Sequence, residues 1–271
     1  MPAKTSFPFG VSLIFLSTKY DEMLQRDLVT AGVETVEIAA ALVATTEQRS
    51  TVKRLLETRR VRASSIHSLF GSNCDYSSLN PETWQTAVSS GIQAVETAAE
   101  LNIPIVVAHA SAEPIPPEER SRRLDRAVEG LKRVGEQAQA TGRRIAIEYL
   151  PRTCLGNSLP ELTGLLDRLG GDPFGVCLDV NHLMDRSAEL PQIVRSLGKR
   201  TIATHLSDYD GVDEKHWLPG QGVLDWSALV RALREIEYPG PFTYECNANG
   251  NTPAEKLAVL RENFQWLSSL V

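Results

Sequence analysis

The chain has 271 residues, 42% of them apolar and 23% charged, with a net charge of −6 and a sequence pI near 5.5. That apolar share excludes disordered and fibrous architectures, and the acidic balance argues against nucleic acid as a partner, since such binders usually carry a basic face. No apolar run approaches the roughly 18 residues that span a bilayer.

The amino end carries Lys4 ahead of a short strand-like run at 11–16, which is not a secretory signal, so a cytoplasmic location is expected. Cys74, Cys154, Cys177 and Cys246 stand far apart, without the paired spacing of a zinc knuckle. They read as free thiols of a reducing compartment.

Short β-rich runs alternate with helical periodicity along the whole chain. In order, a strand at 9–15 is followed by a helix at 20–31, then 33–39 by 46–59, 61–67 by 82–101, and 104–109 by 117–141. The second half continues with 144–149 and 158–169, 174–180 and 188–198, 201–206 and 225–237, and 242–246 and 253–269. Asn80-Pro81-Glu82 and Pro116-Pro117-Glu118 mark helix starts with proline in the first turn, and Gly32, Gly142 and Gly170-Gly171 mark breaks before strands.

Eight strand–helix pairs in one chain of this length predict a single (β/α)8 TIM barrel over residues 1–271, with no linker dividing it. A doubly wound sheet would show a glycine-rich turn after the first strand, and Phe15-Leu16-Ser17-Thr18 has none. Helices on the outside of such a barrel leave room for a homo-oligomer. The longest connection, 207–224, is of a length that usually serves function.

Barrel active sites form at the carboxyl ends of the strands. His67, His109, Glu148, Asp179, His205 and Glu245 are read at the ends of the third to eighth strands, with His182 just after the sixth and His216 in the long loop. Glu148, Asp179 and Glu245 each interrupt an apolar run, and an unpaired carboxylate there costs several kcal/mol. Arg144 or Arg152 could neutralise one of the three. A divalent cation accounts for all of them, and carboxylates with imidazole suit Mn²⁺, Mg²⁺ or Co²⁺.

The ordered residues Glu148, Asp179-Val180-Asn181-His182, His205-Leu206-Ser207-Asp208, Pro219-Gly220-Gln221-Gly222 and Glu245 resemble the xylose-isomerase-like barrel superfamily. That group contains sugar isomerases and epimerases, inosose-processing enzymes and the endonuclease IV type. The likeness covers roughly residues 62–246. It implies one divalent ion (Mn²⁺, with Mg²⁺, Co²⁺ or Zn²⁺ as alternatives) held by Glu148, Asp179, His205 and Glu245.

The resemblance further implies Glu148 and Glu245 as catalytic acid and base around a metal-stabilised enediolate, with His182 touching a sugar or polyol substrate. His67, His109, His216, Glu37 (read at the end of the second strand) and Trp217 are further candidate substrate contacts. Epimerases of this group often carry an arginine six residues after the strand-7 histidine. Here that position is Gly211, so the substrate is left open.

A keto-sugar isomerase or epimerase is the leading expectation. A dehydratase or 3-keto-glycoside lyase on the same scaffold is the alternative. A three-metal DNA-repair nuclease is disfavoured by the net charge, although its extra imidazole ligands resemble His67, His109, His182 and His216, with Glu214 nearby. Retention of both glutamates speaks against a non-catalytic barrel. Arg120, Arg122 and Arg123 read as a solvated helix face.

Overall fold

The computed structural model describes residues 7–270; Lys4 and the rest of 1–6, with Val271, lie outside them. Eight parallel strands form one sheet: β1 (Phe9–Ser12), β2 (Thr35–Ala39), β3 (Arg62–His67), β4 (Ile105–Ala108), β5 (Arg144–Glu148), β6 (Phe174–Asp179), β7 (Thr201–His205) and β8 (Phe242–Tyr244). Their order is β7-β6-β5-β4-β3-β2-β1-β8. The two ends meet through Leu206 N–H donating to Thr243 O at 2.8 Å and Glu245 N–H donating to Leu206 O at 3.1 Å. The sheet therefore closes into the expected (β/α)8 barrel.

Eight helices follow the strands: α1 (Glu22–Ala31), α2 (Thr46–Glu57), α3 (Pro81–Glu100), α4 (Arg120–Thr141), α5 (Leu159–Leu169), α6 (Leu190–Leu197), α7 (Trp226–Glu235) and α8 (Pro253–Ser269). Their ends follow local chemistry. The Asp21 carboxylate accepts from Leu24 N–H at 3.0 Å, and Asn80 caps α3 through Glu82 N–H at 2.8 Å. Thr45 with Gln48 and Thr252 with Glu255 form capping boxes. Gly32 and Gly142 close α1 and α4 in the left-handed conformation, at φ 76° and 67°.

Several elements are shorter than their apolar patterns. The first strand stops at Ser12, because the Leu16 and Ser17 N–H groups turn back onto Leu13 O instead of a neighbouring strand. Glu245 and His109 fall one residue beyond β8 and β4. The helix expected at 188–198 is preceded by a 3₁₀ segment, Val180–Glu189, interrupted at Met184 with φ 54°. The proline-marked start at 117 is a separate 3₁₀ turn, Pro117–Glu119, ahead of α4.

The main core lies between the sheet and the helices, with Leu28, Ile38, Ile66, Leu131, Ile145 and Ile147 buried there. A smaller cluster of Val107, Ala146, Cys177, Ile202 and Ala203 is separate from it. The two longest helices, α3 and α4, approach closely because glycine occupies the contact. A Cβ at Gly91 would meet the Tyr76 hydroxyl and Val134 Cγ2, and one at Gly130 would lie 3.1 Å from Trp84 Nε1.

Gly91→Ala is a direct test of this packing. Helix propensity alone would favour alanine by about 1 kcal/mol. Tyr76 is buried and cannot swing away, so overpacking is expected to win, with a net loss of about 1–3 kcal/mol in urea unfolding. A gain in stability would refute the close approach.

Candidate active site

Alternation along the strands assembles the site. Side chains two residues apart share a face of a strand, so Glu37, His67, Glu148, Asp179 and His205 stand on the same face as Thr35, Ser65, Ala146, Cys177 and Ala203. His109 and Glu245 continue the same parity from Val107 and Thr243. The apolar cluster of Val107, Ala146, Cys177 and Ala203 marks this face as the barrel interior, one layer below the ionisable groups.

Glu148, Asp179, His205 and Glu245 converge, each offering a ligand atom within 4.8 Å of the others, and all four are buried. Asp179 Oδ2 has no hydrogen-bond partner. His205 Nε2 faces the Glu37 carboxylate at 3.0 and 3.1 Å, and that carboxylate can only accept, so Nε2 carries the proton. The other nitrogen, Nδ1, lies 2.8 Å from Glu245 Oε2 without an aligned hydrogen bond. A lone pair facing a carboxylate oxygen so closely needs a cation between them, either a proton or a metal.

Burial pushes the Asp179 carboxyl up to about 6, with Glu148 and Glu245 adding to it and His182 opposing. Burial also opposes the charge on Glu245, but the adjoining His205 holds its carboxyl near 2. The donor set of three carboxylates and one imidazole, with an orphaned oxygen aimed inward, fits a divalent cation.

Two further groups of possible ligands flank this one. The Nε2 atoms of His67 and His109 stand 3.2 and 3.1 Å from the same Glu148 Oε2. On the other side, His182 meets Glu214 Oε2 at 3.0 Å through Nε2, near His216. Backbone carbonyls orient the rings: Ser68 O faces His67 Nδ1, Tyr149 O faces His182 Nδ1 and Glu245 O faces His216 Nδ1. His216 holds φ 51°, a conformation that non-glycine residues adopt only when their surroundings enforce it.

The loop carrying Glu214 and His216 is fixed from both ends. The buried Asp208 carboxylate accepts from Gly220 N–H at 2.9 Å and Trp226 Nε1–H at 2.8 Å, and its backbone pairs with Trp217. Gly222 is required there, because a Cβ would collide with Tyr209 backbone atoms. Arg152 binds Glu113, Asp213 and Glu214 at 2.6–2.8 Å, joining three loops over the mouth.

A cavity of about 390 Å³ opens above the cluster, bordered by His67, Phe70, His109, Glu148, His182, Glu214, His216 and Glu245 among others. Phe70 lies over His109 with ring centroids 4.4 Å apart, and Phe15 lies 4.8 Å from His216. These aromatics carry no sequence signal beyond lying after strands, and composition does not single them out. A larger recess of about 1100 Å³ sits at the opposite end of the barrel, among Arg59, Arg62, Arg144 and Lys199. It brings together no cluster of ligand atoms among the described residues.

Three expectations change, and one alternative is set aside. Glu37 lies mid-strand rather than at the end of β2, and it turns to His205 instead of bordering the cavity. Trp217 also stands outside the cavity lining, held by its backbone pairing with Asp208. Neither arginine neutralises a cluster carboxylate: Arg152 is saturated by loop acids, and Arg144 reaches Asp172 at 3.9 Å near the other end. Arg120 is no solvated surface group, since it grips Glu161 and the Thr153 and Cys154 carbonyls; Arg123 reaches Asp75 and Glu119.

The His182–Glu214 pair gives a pH test. His182 and then Arg152 hold the Glu214 carboxyl down to about 2, with burial opposing. Burial pulls His182 down, but Asp179, Glu214 and Glu148 outweigh it and raise the imidazole to about 10. In metal-free protein the pair is fully stabilising between the ordinary values of 4.5 and 6.5; its contribution fades as pH falls toward 2 or rises toward 10. Glu214→Gln is therefore expected to cost about 2 kcal/mol in urea unfolding of EDTA-treated protein near pH 5.5. The gap from wild type should narrow in acid and in alkali; a gap independent of pH would exclude the ion pair as its source.

Comparison with known proteins agrees with this architecture. The chain is 26% identical over 211 residues to the uncharacterized protein MJ1311 of Methanocaldococcus jannaschii, covering 76% of this chain and 71% of that one. It is 26% identical over 144 residues to D-psicose 3-epimerase of Enterocloster bolteae, covering 51% of this chain but only 45% of that enzyme. The solved D-allulose 3-epimerase of Methylomonas sp. superposes with a TM-score of 0.83 at 18% identity, covering 98% of this chain and 100% of that one, a likeness of fold. The family model described as xylose isomerase-like TIM barrel matches residues 26–270, and the chain belongs to that family.

Proposed function

We propose that the protein is a divalent-metal-dependent isomerase or epimerase of an unphosphorylated keto-sugar or polyol. One observation carries this reading. Of the four converging residues, Glu148 and Glu245 border the cavity, while Asp179 and His205 lie wholly buried behind them. Two carboxylates thus face the place where a substrate would sit. The partial likeness to a psicose epimerase supports the same chemistry.

Glu148, Asp179, His205 and Glu245 would hold the ion, with Mn²⁺ the best match to their oxygen-rich set. When bound, such an ion supplies Lewis-acid polarisation of a carbonyl and its neighbouring hydroxyl. One of the two glutamates removes the proton from the carbon beside the carbonyl, and the other returns it to that carbon or its neighbour. His182 and His216, with His67 and His109, border the same space and would contact the substrate. Among the described residues Arg152 is the one lysine or arginine bordering the cavity, and three carboxylates already occupy it, which disfavours a phosphorylated substrate. A lyase acting on the same class of substrate would share the first proton removal.

A second reading is favoured by the flanking groups. His67–His109–Glu148 and His182–Glu214–His216 each gather three potential ligand atoms within 4.8 Å, and a three-ion centre of that kind suits phosphodiester hydrolysis. Metal counting separates the two. Elemental analysis should find one ion per chain in wild type and in His216→Ala, and most of it lost in Asp179→Ala. Three ions in wild type, with one lost in His216→Ala, would favour the hydrolase; full occupancy in Asp179→Ala would overturn the ligand assignment.

The reaction is tested in D₂O with Mn²⁺ and a panel of keto-sugars, inososes and 3-keto glycosides. Deuterium is expected at one carbon beside the carbonyl of the true substrate, with Glu245→Gln slowing exchange by about 100-fold or more. Product mass distinguishes an epimer from a dehydrated or cleaved product. Cleavage of abasic DNA with no exchange into any sugar would refute the proposal.

A further inference from the structure

We propose that Glu37 is a positioning residue that fixes the ring orientation of His205 and which of its nitrogens faces the cation site, and through that the affinity of the site. The inference rests on the reading of Glu148, Asp179, His205 and Glu245 as that site. Glu37 interrupts the apolar run Val36-Glu37-Ile38 and is buried on the inward face of β2. Parallel register places it between Ser12 of β1 and Ser65 of β3. Both hydroxyls donate to it, Ser12 Oγ to Oε1 at 3.1 Å and Ser65 Oγ to Oε2 at 2.8 Å. The third donor comes from across the barrel: His205 Nε2, at 3.0 Å from Oε1 and 3.1 Å from Oε2.

The arrangement has a chemical consequence. Three donors hold the carboxylate in one orientation, and it accepts the imidazole proton at Nε2. That makes Nδ1, at 3.6, 3.9 and 2.8 Å from oxygens of Glu148, Asp179 and Glu245, the nitrogen a bound cation would take in place of a proton. A carboxylate behind a ligand histidine fixes its tautomer and raises its basicity, and losing such a partner typically weakens metal binding by about 10–100-fold. Glu37 does not border the cavity, so its removal acts on the ion and not on a substrate contact.

The test uses metal-free wild type, Glu37→Ala and Glu37→Gln. Co²⁺ affinity is measured by calorimetry and by the visible absorption of bound Co²⁺, melting temperature is recorded in parallel, and the His205 tautomer is read from ¹⁵N–¹H correlations. Wild type should show the proton on Nε2. Glu37→Ala should lose that preference and bind Co²⁺ about 10–100-fold more weakly, with Glu37→Gln in between because its amide oxygen accepts the proton without charge.

Should Glu37→Ala fail to fold, Glu37→Gln carries both measurements, and Ser65→Ala, which removes one of the two clamping hydroxyls, should show a smaller loss in the same direction. A lowered melting temperature with unchanged Co²⁺ affinity and an unchanged tautomer would reduce Glu37 to a structural role and overturn the proposal. If wild type itself takes up no Co²⁺, the metal reading fails separately. The tautomer then decides the role of Glu37: full retention of the Nε2 proton in Glu37→Ala overturns it.

Discussion

Burying four carboxylates at one end of a barrel is the constraint on which the rest of this structure depends. Glu37, Glu148, Asp179 and Glu245 all lie on inward-facing positions with almost no access to solvent. Ionised carboxylates in such a place repel one another and lose their hydration, at a cost of several kcal/mol for each one left unpaired. The surrounding residues answer that cost with donors. His67 and His109 face Glu148, Ser12 and Ser65 serve Glu37, and His205 stands between Glu37 and the remaining three. Asp179 Oδ2 and His205 Nδ1 are left without hydrogen-bond partners among the described residues, which is where the balance calls for a cation.

The long loop after β7 depends on a different use of the same chemistry. Asp208 is a fully buried carboxylate too, but backbone N–H groups and the Trp226 indole satisfy it, so it shapes the loop and contributes nothing to the ligand set. Arg152 serves the outer side of the mouth, tying the loops after β4, β5 and β7 through Glu113, Asp213 and Glu214. Both devices act to hold Glu214 and His216 against the cavity. Non-glycine residues at positive φ, Arg152 and His216 among them, show that the backbone is held in costly conformations at this rim. Such conformations persist where many neighbours fix them together.

Much of this was legible in the sequence. The eight strand–helix pairs and the inward-facing acids follow from periodicity, because a carboxylate inside an apolar strand is conspicuous whatever the strand packs against. The same signal marked Glu37, yet its role did not follow, since sequence reveals that a buried acid needs a partner without revealing which one. Arg120 was misjudged for a related reason, and the partners of Arg152 were hidden in the same way. A charged side chain on a loop or helix start looks alike whether it meets water or the acids of a neighbouring loop, and those acids lie 39 and 41 positions away at Glu113 and Glu161.

The sequence by itself determined which residues face inward and the order in which they meet the mouth, because alternation along a strand is a local property of the backbone. Tertiary structure alone decided which of them touch. His205 and Glu37 are separated by 168 positions, His67 and Glu148 by 81, and only closure of the sheet brings them within hydrogen-bonding distance. Closure also divided the four potential ligands, leaving Glu148 and Glu245 beside the cavity and Asp179 and His205 behind it. Strand tilt and register around the barrel fix that depth, and both are properties of the assembled sheet, carried by no single strand.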